Sequence, residues 1–301
     1  MTNRLTMGVA GTGYWASVTH APAVVASDRW DLTAVWGRRP DATAALAASL
    51  PGDVAPFDDF DAFLDSVDGV TFALPPDVQA PLALRALNAG KHVLLEKPIS
   101  LDASQADALV AAAERSGAAT AVFFTILYDP RVRALIAAAA EAPALLGGTG
   151  LWLGSALNDE NPFNTPWRHV HGGLWDLGPH ALSVLWTTVG PIVEVAAHAG
   201  AADLRHLVLT HASGASSTVS LTLRAPDAAD GFSTTLWGEQ GKFAVPVDDV
   251  DSLAALTVAL NELGELAASG RSDHPYGVEF GRDIVRLLAN AERQIADAAK
   301  P

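Results

Sequence analysis

Leu5-Thr6-Met7-Gly8-Val9-Ala10-Gly11-Thr12-Gly13-Tyr14-Trp15-Ala16 is the stretch on which the reading of the fold turns. A short, nearly all-apolar run meets a glycine-rich turn, and the turn opens into residues suited to a helix. A run without polar alternation fits a strand covered on both faces, as in a parallel sheet. A lone glycine fingerprint is a weak signal, so its surroundings decide. Here a strand precedes it, a helical stretch follows, and a second strand ends about 20 residues on, at Trp36. In such a turn Gly11 permits the tight bend, Gly13 lets the backbone approach a pyrophosphate, and small Ala16 lets helix and sheet pack closely. The amides at the helix N-terminus then face the anion. An ordinary glycine-containing strand-to-helix turn is the bland alternative.

Outward from this turn the same rhythm continues to about residue 125. Leu32 to Trp36, Val54 to Phe57, Val70 to Leu74, Val93 to Leu95 and Thr120 to Phe124 read as strands. Helices are expected between them, notably Val78 to Asn88 and Leu101 to Arg115, each followed by a glycine stop. Six such strands describe a doubly wound α/β sheet. Beyond residue 125 comes a helix near Pro130 to Ala140, then strand-like runs Gly148 to Leu153, Ile192 to Ala199, Leu204 to His211, Ser216 to Arg224, Ser233 to Trp237 and Lys242 to Val247. Turn signals such as Ser213-Gly214 and Glu239-Gln240-Gly241 separate these runs as in hairpins. The expected fold class is therefore an N-terminal Rossmann domain over 1–124 and a C-terminal α+β domain over 125–301 with a mostly antiparallel open sheet. Helices Leu253 to Leu266 and Val278 to Ala298 close the chain, and the last of them is a candidate to pack back on the first domain.

The 301 residues, half of them hydrophobic, suffice for two ordinary cores. A formal net charge of -15 opposes binding to nucleic acid or to an anionic membrane, because both need clustered Lys and Arg. The absence of cysteine removes disulfides, thiolate metal cages and a cysteine nucleophile from consideration. The most membrane-like stretch, Ala134 to Gly154, is interrupted by Glu141, Pro143 and Gly147-Gly148. Met1 to Leu5 lead into glycines without a signal-peptide pattern, so a cytoplasmic location is the expectation.

At the end of the second strand, where an NAD enzyme usually places Asp or Glu against the ribose, stands Trp36-Gly37-Arg38-Arg39-Pro40. Loss of the carboxylate relieves repulsion with a 2′-phosphate, and two guanidinium groups can bind that phosphate with charge-assisted hydrogen bonds. NADP(H) is thus favoured over NAD(H), the alternative being two merely solvated arginines.

Two further motifs bear chemistry. Glu96-Lys97-Pro98 ends the fifth strand, and ligands of open parallel sheets bind beyond the carboxyl ends of strands. Gly172-Gly173-Leu174-Trp175-Asp176-Leu177-Gly178-Pro179-His180 sets an aspartate and a histidine four residues apart. If a helix begins near Asp176 the two share a face. Pro179 is tolerated only in a first turn, so Asp176 stands at or near the N-cap, or the helix starts later and the loop aligns the pair. A metal-ligand pair, or a capping aspartate beside a buried histidine, are other readings of this spacing.

With its lysine motif after the glycine turn and its Gly-Gly segment with Asp and His, the chain resembles the Gfo/Idh/MocA family of oxidoreductases. That resemblance implies hydride exchange between a nicotinamide and a hydroxyl or carbonyl of a sugar, polyol or related small molecule. His180 is then the general acid/base, its ordinary pKa lying nearest working pH. Lys97 holds and polarises the same oxygen, and Asp176 orients the imidazole or binds a neighbouring hydroxyl. Expected cofactor contacts are Gly11, Gly13, Tyr14, Trp15, Gly37, Arg38, Arg39, Leu74, Pro75, Glu96, Lys97, Trp167 and Arg168, the last two by likeness to a Trp-Arg pair of NADP-using relatives. No metal is expected. His169 and His171 are read as loop residues lining the substrate cleft. Gln79 and Ser183 depart from the histidine and aspartate of many relatives and are expected to alter substrate contacts. The resemblance also implies a homodimer or homotetramer formed through the C-terminal sheet. A non-catalytic NADP sensor on the same fold is the rival reading, and an NAD-dependent glycosidase-type relative is another.

Overall fold

A computed structural model describes residues 4–141, 145–158 and 161–300. Pro143, and residues 1–3 at the start of the chain, lie outside them. The chain forms two compact units, Met1–Phe123 with Asp251–Asp283, and Phe124–Val250 with Ile284–Pro301.

The first unit is built on β1 (Leu5–Ala10), β2 (Trp30–Trp36), β3 (Ala55–Phe57), β4 (Gly69–Phe72), β5 (His92–Glu96) and β6 (Thr120–Phe123). They lie in the order β3-β2-β1-β4-β5-β6, and every pair is parallel. β4 and β6 are buried at every residue, Thr71 and Thr120 included, as strands covered on both faces are. The strand order reverses between β1 and β4, which opens a crevice at their carboxyl ends, the usual ligand position in such sheets.

The crossover helices are α1 (Ala21–Ala26), α2 (Pro40–Ser49), α3 (Phe60–Asp65), α4 (Pro76–Asn88) and α5 (Ala103–Ser116). α4 starts at Pro76, two residues before the expected Val78, because proline suits a first turn. α5 starts after Leu101 because Asp102 caps it, its carboxylate accepting from Gln105 N at 3.0 Å. Ahead of α1 the backbone runs in a π-helical turn, Ala16–His20, with Ala21 N–H bonded to Ala16 O. A late helix, α9 (Ser252–Ser269), also belongs to this unit. Trp30 Nε1 donates to its Leu260 O at 2.7 Å and Ser27 Oγ to its Asn261 Oδ1 at 2.6 Å.

The second unit holds β7 (Leu145–Leu153), β8 (Ile192–Ala199), β9 (Arg205–His211), β10 (Ser216–Thr222), β11 (Gly231–Gly238) and β12 (Gly241–Val245), in the order β12-β11-β7-β10-β9-β8. All neighbours are antiparallel except β7 and β10. The hairpins β8–β9, β9–β10 and β11–β12 are antiparallel, whereas between β7 and β10 the chain runs through α7 (Pro166–Asp176), α8 (Gly178–Val189), β8 and β9. Along β9, Leu207 and Leu209 face the core while His206 and Val208 face outward, the alternation of a sheet covered on one side. α6 (Pro130–Glu141) lies in this unit, and α10 (Val278–Ala298) runs from Asp283 of the first unit into Ile284 of the second. Among the described residues no helix is long and apolar enough to cross a membrane.

Candidate active site

At the topological switch point the ends of β1 and β4 touch. Gly11 has φ +133°, and a Cβ there would lie 2.5 Å from Ala73 O, so only glycine lets the two backbones approach. Gly11 N–H binds Trp36 O, and Ala73 N–H binds Ala10 O, each at 2.9 Å, which fixes the turn to both neighbouring strands. Gly13 faces open space: a Cβ would meet nothing within 4 Å. Tyr14 is 52% exposed beside it. This is a bare backbone cradle at a helix start, and it fits a dinucleotide pyrophosphate. Leu74 and Pro75 follow the end of β4, and Pro75 stands immediately before α4.

At the end of β2 a Cβ on Gly37 would meet Thr12 Cγ2 at 2.5 Å and Thr43 Oγ1 at 2.7 Å. Arg38 and Arg39 follow it, both exposed, and α2 begins at the next residue. Arg38 and Arg39 are therefore exposed two and three residues beyond the strand end, in the region where a ribose 2′-substituent sits in this fold.

Lys97 follows the last residue of β5, and its peptide bond to Pro98 is cis. Glu96 Oε1 accepts from Trp15 Nε1 at 2.7 Å and lies 3.2 Å from His20 Nε2, and Lys97 N donates to Glu96 Oε2 at 3.2 Å. Two residues expected at the cofactor thus meet each other. Gln79 is fully buried and grips the same peptide: Glu96 N donates to its Oε1 at 2.8 Å, and its Nε2 donates to Glu96 O at 2.8 Å and to Pro98 O at 3.3 Å. It is a backbone clamp with no part of its side chain at the surface, so it bears on the site through the Glu96–Pro98 backbone that it holds. His20, also fully buried, pairs through Nδ1 with Thr71 Oγ1 at 2.8 Å. Sequence reading missed it, since its place on the helix depends on the π-turn.

In the second unit the Gly-Gly segment is helical up to Asp176, the last residue of α7, and α8 begins at Gly178. Of the two arrangements open from the sequence, the structure takes the first: Leu177 is the N-cap of α8, Asp176 stands directly before it, and Pro179 and His180 lie in the first turn. Gly172 breaks α7 with φ +61°, and Asp203 seals the break by accepting from Gly173 N at 3.1 Å and Leu223 N at 2.8 Å. Arg168 Nε donates to Asp176 Oδ2 at 2.8 Å. Its Nη1 reaches Phe163 O and Thr165 Oγ1, each at 3.1 Å, and its guanidinium stacks over Trp167 at 4.7 Å. His180 is half-buried and lies parallel to the Trp152 ring, with centroids 6.2 Å apart.

Ser183 is fully buried and its Oγ donates to His180 O at 2.9 Å. Its hydroxyl is thus spent inside the helix. His169 and His171 stand on α7, not in a loop. His169 Nε2 pairs with Asn164 Oδ1 at 2.6 Å, and His171 packs edge-on to Trp175 at 6.5 Å. Among the described residues no group of three or more His, Asp or Glu is arranged to hold a metal.

Residues 5–124 match the model of the oxidoreductase family with an NAD-binding Rossmann fold, and residues 148–244 match the GFO/IDH/MocA C-terminal domain. An oxidoreductase of Escherichia coli, YdgJ, is 27% identical over 223 residues, 70% of this chain and 63% of its own length. The chain therefore spans less than two thirds of that relative. Inositol 2-dehydrogenase of Rhizobium meliloti is 28% identical over 233 residues, 72% of this chain and 68% of its own length. The solved structure of levoglucosan dehydrogenase with NADH and levoglucosan superposes with a TM-score of 0.87 at 16% identity, covering 99% of this chain and 98% of that one, a likeness of fold. With both of its family domains matched in order and the Rossmann and open-sheet architectures in place, the chain belongs to the Gfo/Idh/MocA oxidoreductase family.

Proposed function

We propose that this protein is an NADP(H)-dependent oxidoreductase that interconverts a secondary alcohol and a ketone on a sugar, polyol or related small molecule. The observation that carries the reading is the open Gly11–Gly13 cradle combined with exposed Arg38 and Arg39 at the end of β2. An acidic residue at that point would repel a 2′-phosphate, and two guanidinium groups attract it. Similarity to inositol 2-dehydrogenase and to levoglucosan dehydrogenase supports a hydroxylated substrate.

When bound, the nicotinamide supplies the hydride exchange. The chain's own residues place the substrate and manage its proton. Lys97, at the strand end of the first unit, holds and polarises the reacting oxygen. His180, in the first turn of α8, accepts the hydroxyl proton and returns it, and its packing against Trp152 limits ring rotation. Asp176, held by Arg168 at the end of α7, orients the imidazole of His180 or binds a neighbouring substrate hydroxyl. Self-association is assigned to the outward face of the second unit's sheet. Leu151, Ser220 and His206 form one row there, and Thr149, Thr218 and Val208 the next.

The test is a screen of sugars, polyols and their keto forms, read by nicotinamide absorbance with NADP(H) and NAD(H) in parallel. Turnover with a preference for NADP(H) supports the reading. Tight cofactor binding without turnover of any substrate favours the sensor alternative.

A further inference from the structure

The carboxylate of Glu96 lies at the meeting point of the two segments that the proposed function uses most. On one side are the glycine turn and first helix, through Trp15 Nε1 at 2.7 Å and His20 Nε2 at 3.2 Å from the same Oε1. On the other is the Lys97 peptide, whose N–H reaches Oε2 at 3.2 Å. The side chain of Glu96 is only 13% exposed and that of His20 is fully buried, so these contacts form where solvent competes weakly.

The backbone between them is unusual in a way that serves this meeting. Residues five apart on an α-helix point about 140° away from each other. The π-turn over Ala16–His20, with its i to i+5 hydrogen bond, brings Trp15 and His20 to one face, and both then reach one oxygen. Thr71 on β4 holds the far nitrogen of the imidazole at 2.8 Å, so His20 is fixed at both ends. Gln79 fastens the other side of the Glu96–Pro98 backbone.

We propose that Glu96 is a positioning residue, a strut that keeps the glycine-rich turn and the Lys97 peptide in one fixed relation through Trp15 and His20. The strut replaces direct cofactor contact as the role of both Glu96 and the Trp15 indole N–H. It rests on the reading of Lys97 and the turn as parts of one oxidoreductase site. Its consequence is that the spacing between bound nicotinamide and Lys97 is set inside the first unit, by a carboxylate that itself touches neither substrate nor cofactor.

The experiment compares Glu96→Ala, Glu96→Gln, Trp15→Phe and the double variant Trp15→Phe/Glu96→Ala in the full chain. Glu96→Ala lowers kcat roughly 10- to 100-fold, the range that slight misplacement of reacting groups produces, with a smaller change in substrate KM. Trp15→Phe keeps the ring and removes the donor, and it lowers kcat in the same sense. The double variant is no slower than Glu96→Ala alone, because one connection is cut twice. Glu96→Gln retains an oxygen for Trp15 and recovers much of the loss. A kcat for Glu96→Ala within about twofold of wild type, or losses that multiply in the double variant, overturns the proposal.

Hydrogen exchange reads the strut without turnover. Trp15→Phe speeds amide exchange in the segment 92–98, and Glu96→Ala does so in the segment 11–20. Exchange confined to the segment that bears the substitution overturns the strut. Failure of wild type to turn over any substrate instead removes the oxidoreductase reading, and the exchange result stands by itself.

Discussion

Arg168 and Asp176 form an ion pair at 2.8 Å although they stand eight residues apart on one helix. On a straight α-helix that separation is about 12 Å along the axis, beyond any single side-chain contact. The break at Gly172 folds the second half of α7 back, and the two side chains meet at a site where they are 14% and 8% exposed. Removing the guanidinium leaves a buried carboxylate without its cation, which costs about 3–5 kcal/mol. Arg168→Met is therefore expected to lose most of that in urea unfolding. A loss under about 1 kcal/mol would show that the pair is screened like a surface one.

Lys97→Ala and His180→Ala are each expected to reduce turnover by roughly 10²- to 10⁴-fold, the usual contribution of a group managing a proton. NADPH affinity, followed by its fluorescence, should change little, because the pyrophosphate cradle is made of backbone at Gly11 to Gly13. Wild-type rates in both variants would sink the assignment.

Replacing Arg38 and Arg39 together by Ala removes two charge-assisted contacts of about 1.5–3 kcal/mol each from the 2′-phosphate and none from NAD. NADP(H) affinity should fall by more than about 100-fold and NAD(H) affinity should hold or rise. Calorimetric titration with both dinucleotides decides this, and equal losses would contradict the phosphate assignment.

Two histidines outside the site set a pH dependence of stability. Burial holds the His211 pKa below the ordinary 6.5, its ring lying between Gly190 O at 2.6 Å and Ser217 Oγ at 2.9 Å. Burial likewise lowers His92, with Asp68 opposing in part. Both therefore bind protons more readily in the unfolded chain. Their contribution is fully present above about pH 6.5 and is lost as pH falls from there toward the depressed folded values. Urea midpoints should fall between about pH 7.5 and about pH 5, and His211→Gln should flatten that slope. An unchanged slope in the variant would remove His211 from the account.

The parallel sheet, its strand ends and the second, largely antiparallel sheet were legible because they rest on local pattern. An apolar run such as Leu5 to Ala10, bounded by Gly11, needs no distant partner to be recognised. The ends of α5 were legible for the same reason, with Gly117 as a stop, although Asp102 as its cap shifted the start by two residues. The parallel β7–β10 pair was not legible, since nothing in either strand names its neighbour. Nor were the roles of Gln79 and Ser183, which the sequence could mark only as departures from a pattern. Their amide and hydroxyl proved to be spent on buried backbone, at Glu96–Pro98 and at His180 O.

By itself the sequence determined the residues available for chemistry, namely a glycine turn, two arginines after β2, a lysine at the end of β5, and an aspartate and histidine in the second unit. Those are matters of composition and short spacing, fixed by covalent order. Only the tertiary structure decided which of them touch. The π-turn at Ala16–His20 and the break at Gly172 each change the direction of side chains over a few residues, so that Trp15 finds Glu96 and Arg168 finds Asp176. Such contacts depend on where a backbone departs from its regular period, and that departure is settled by packing across the whole fold.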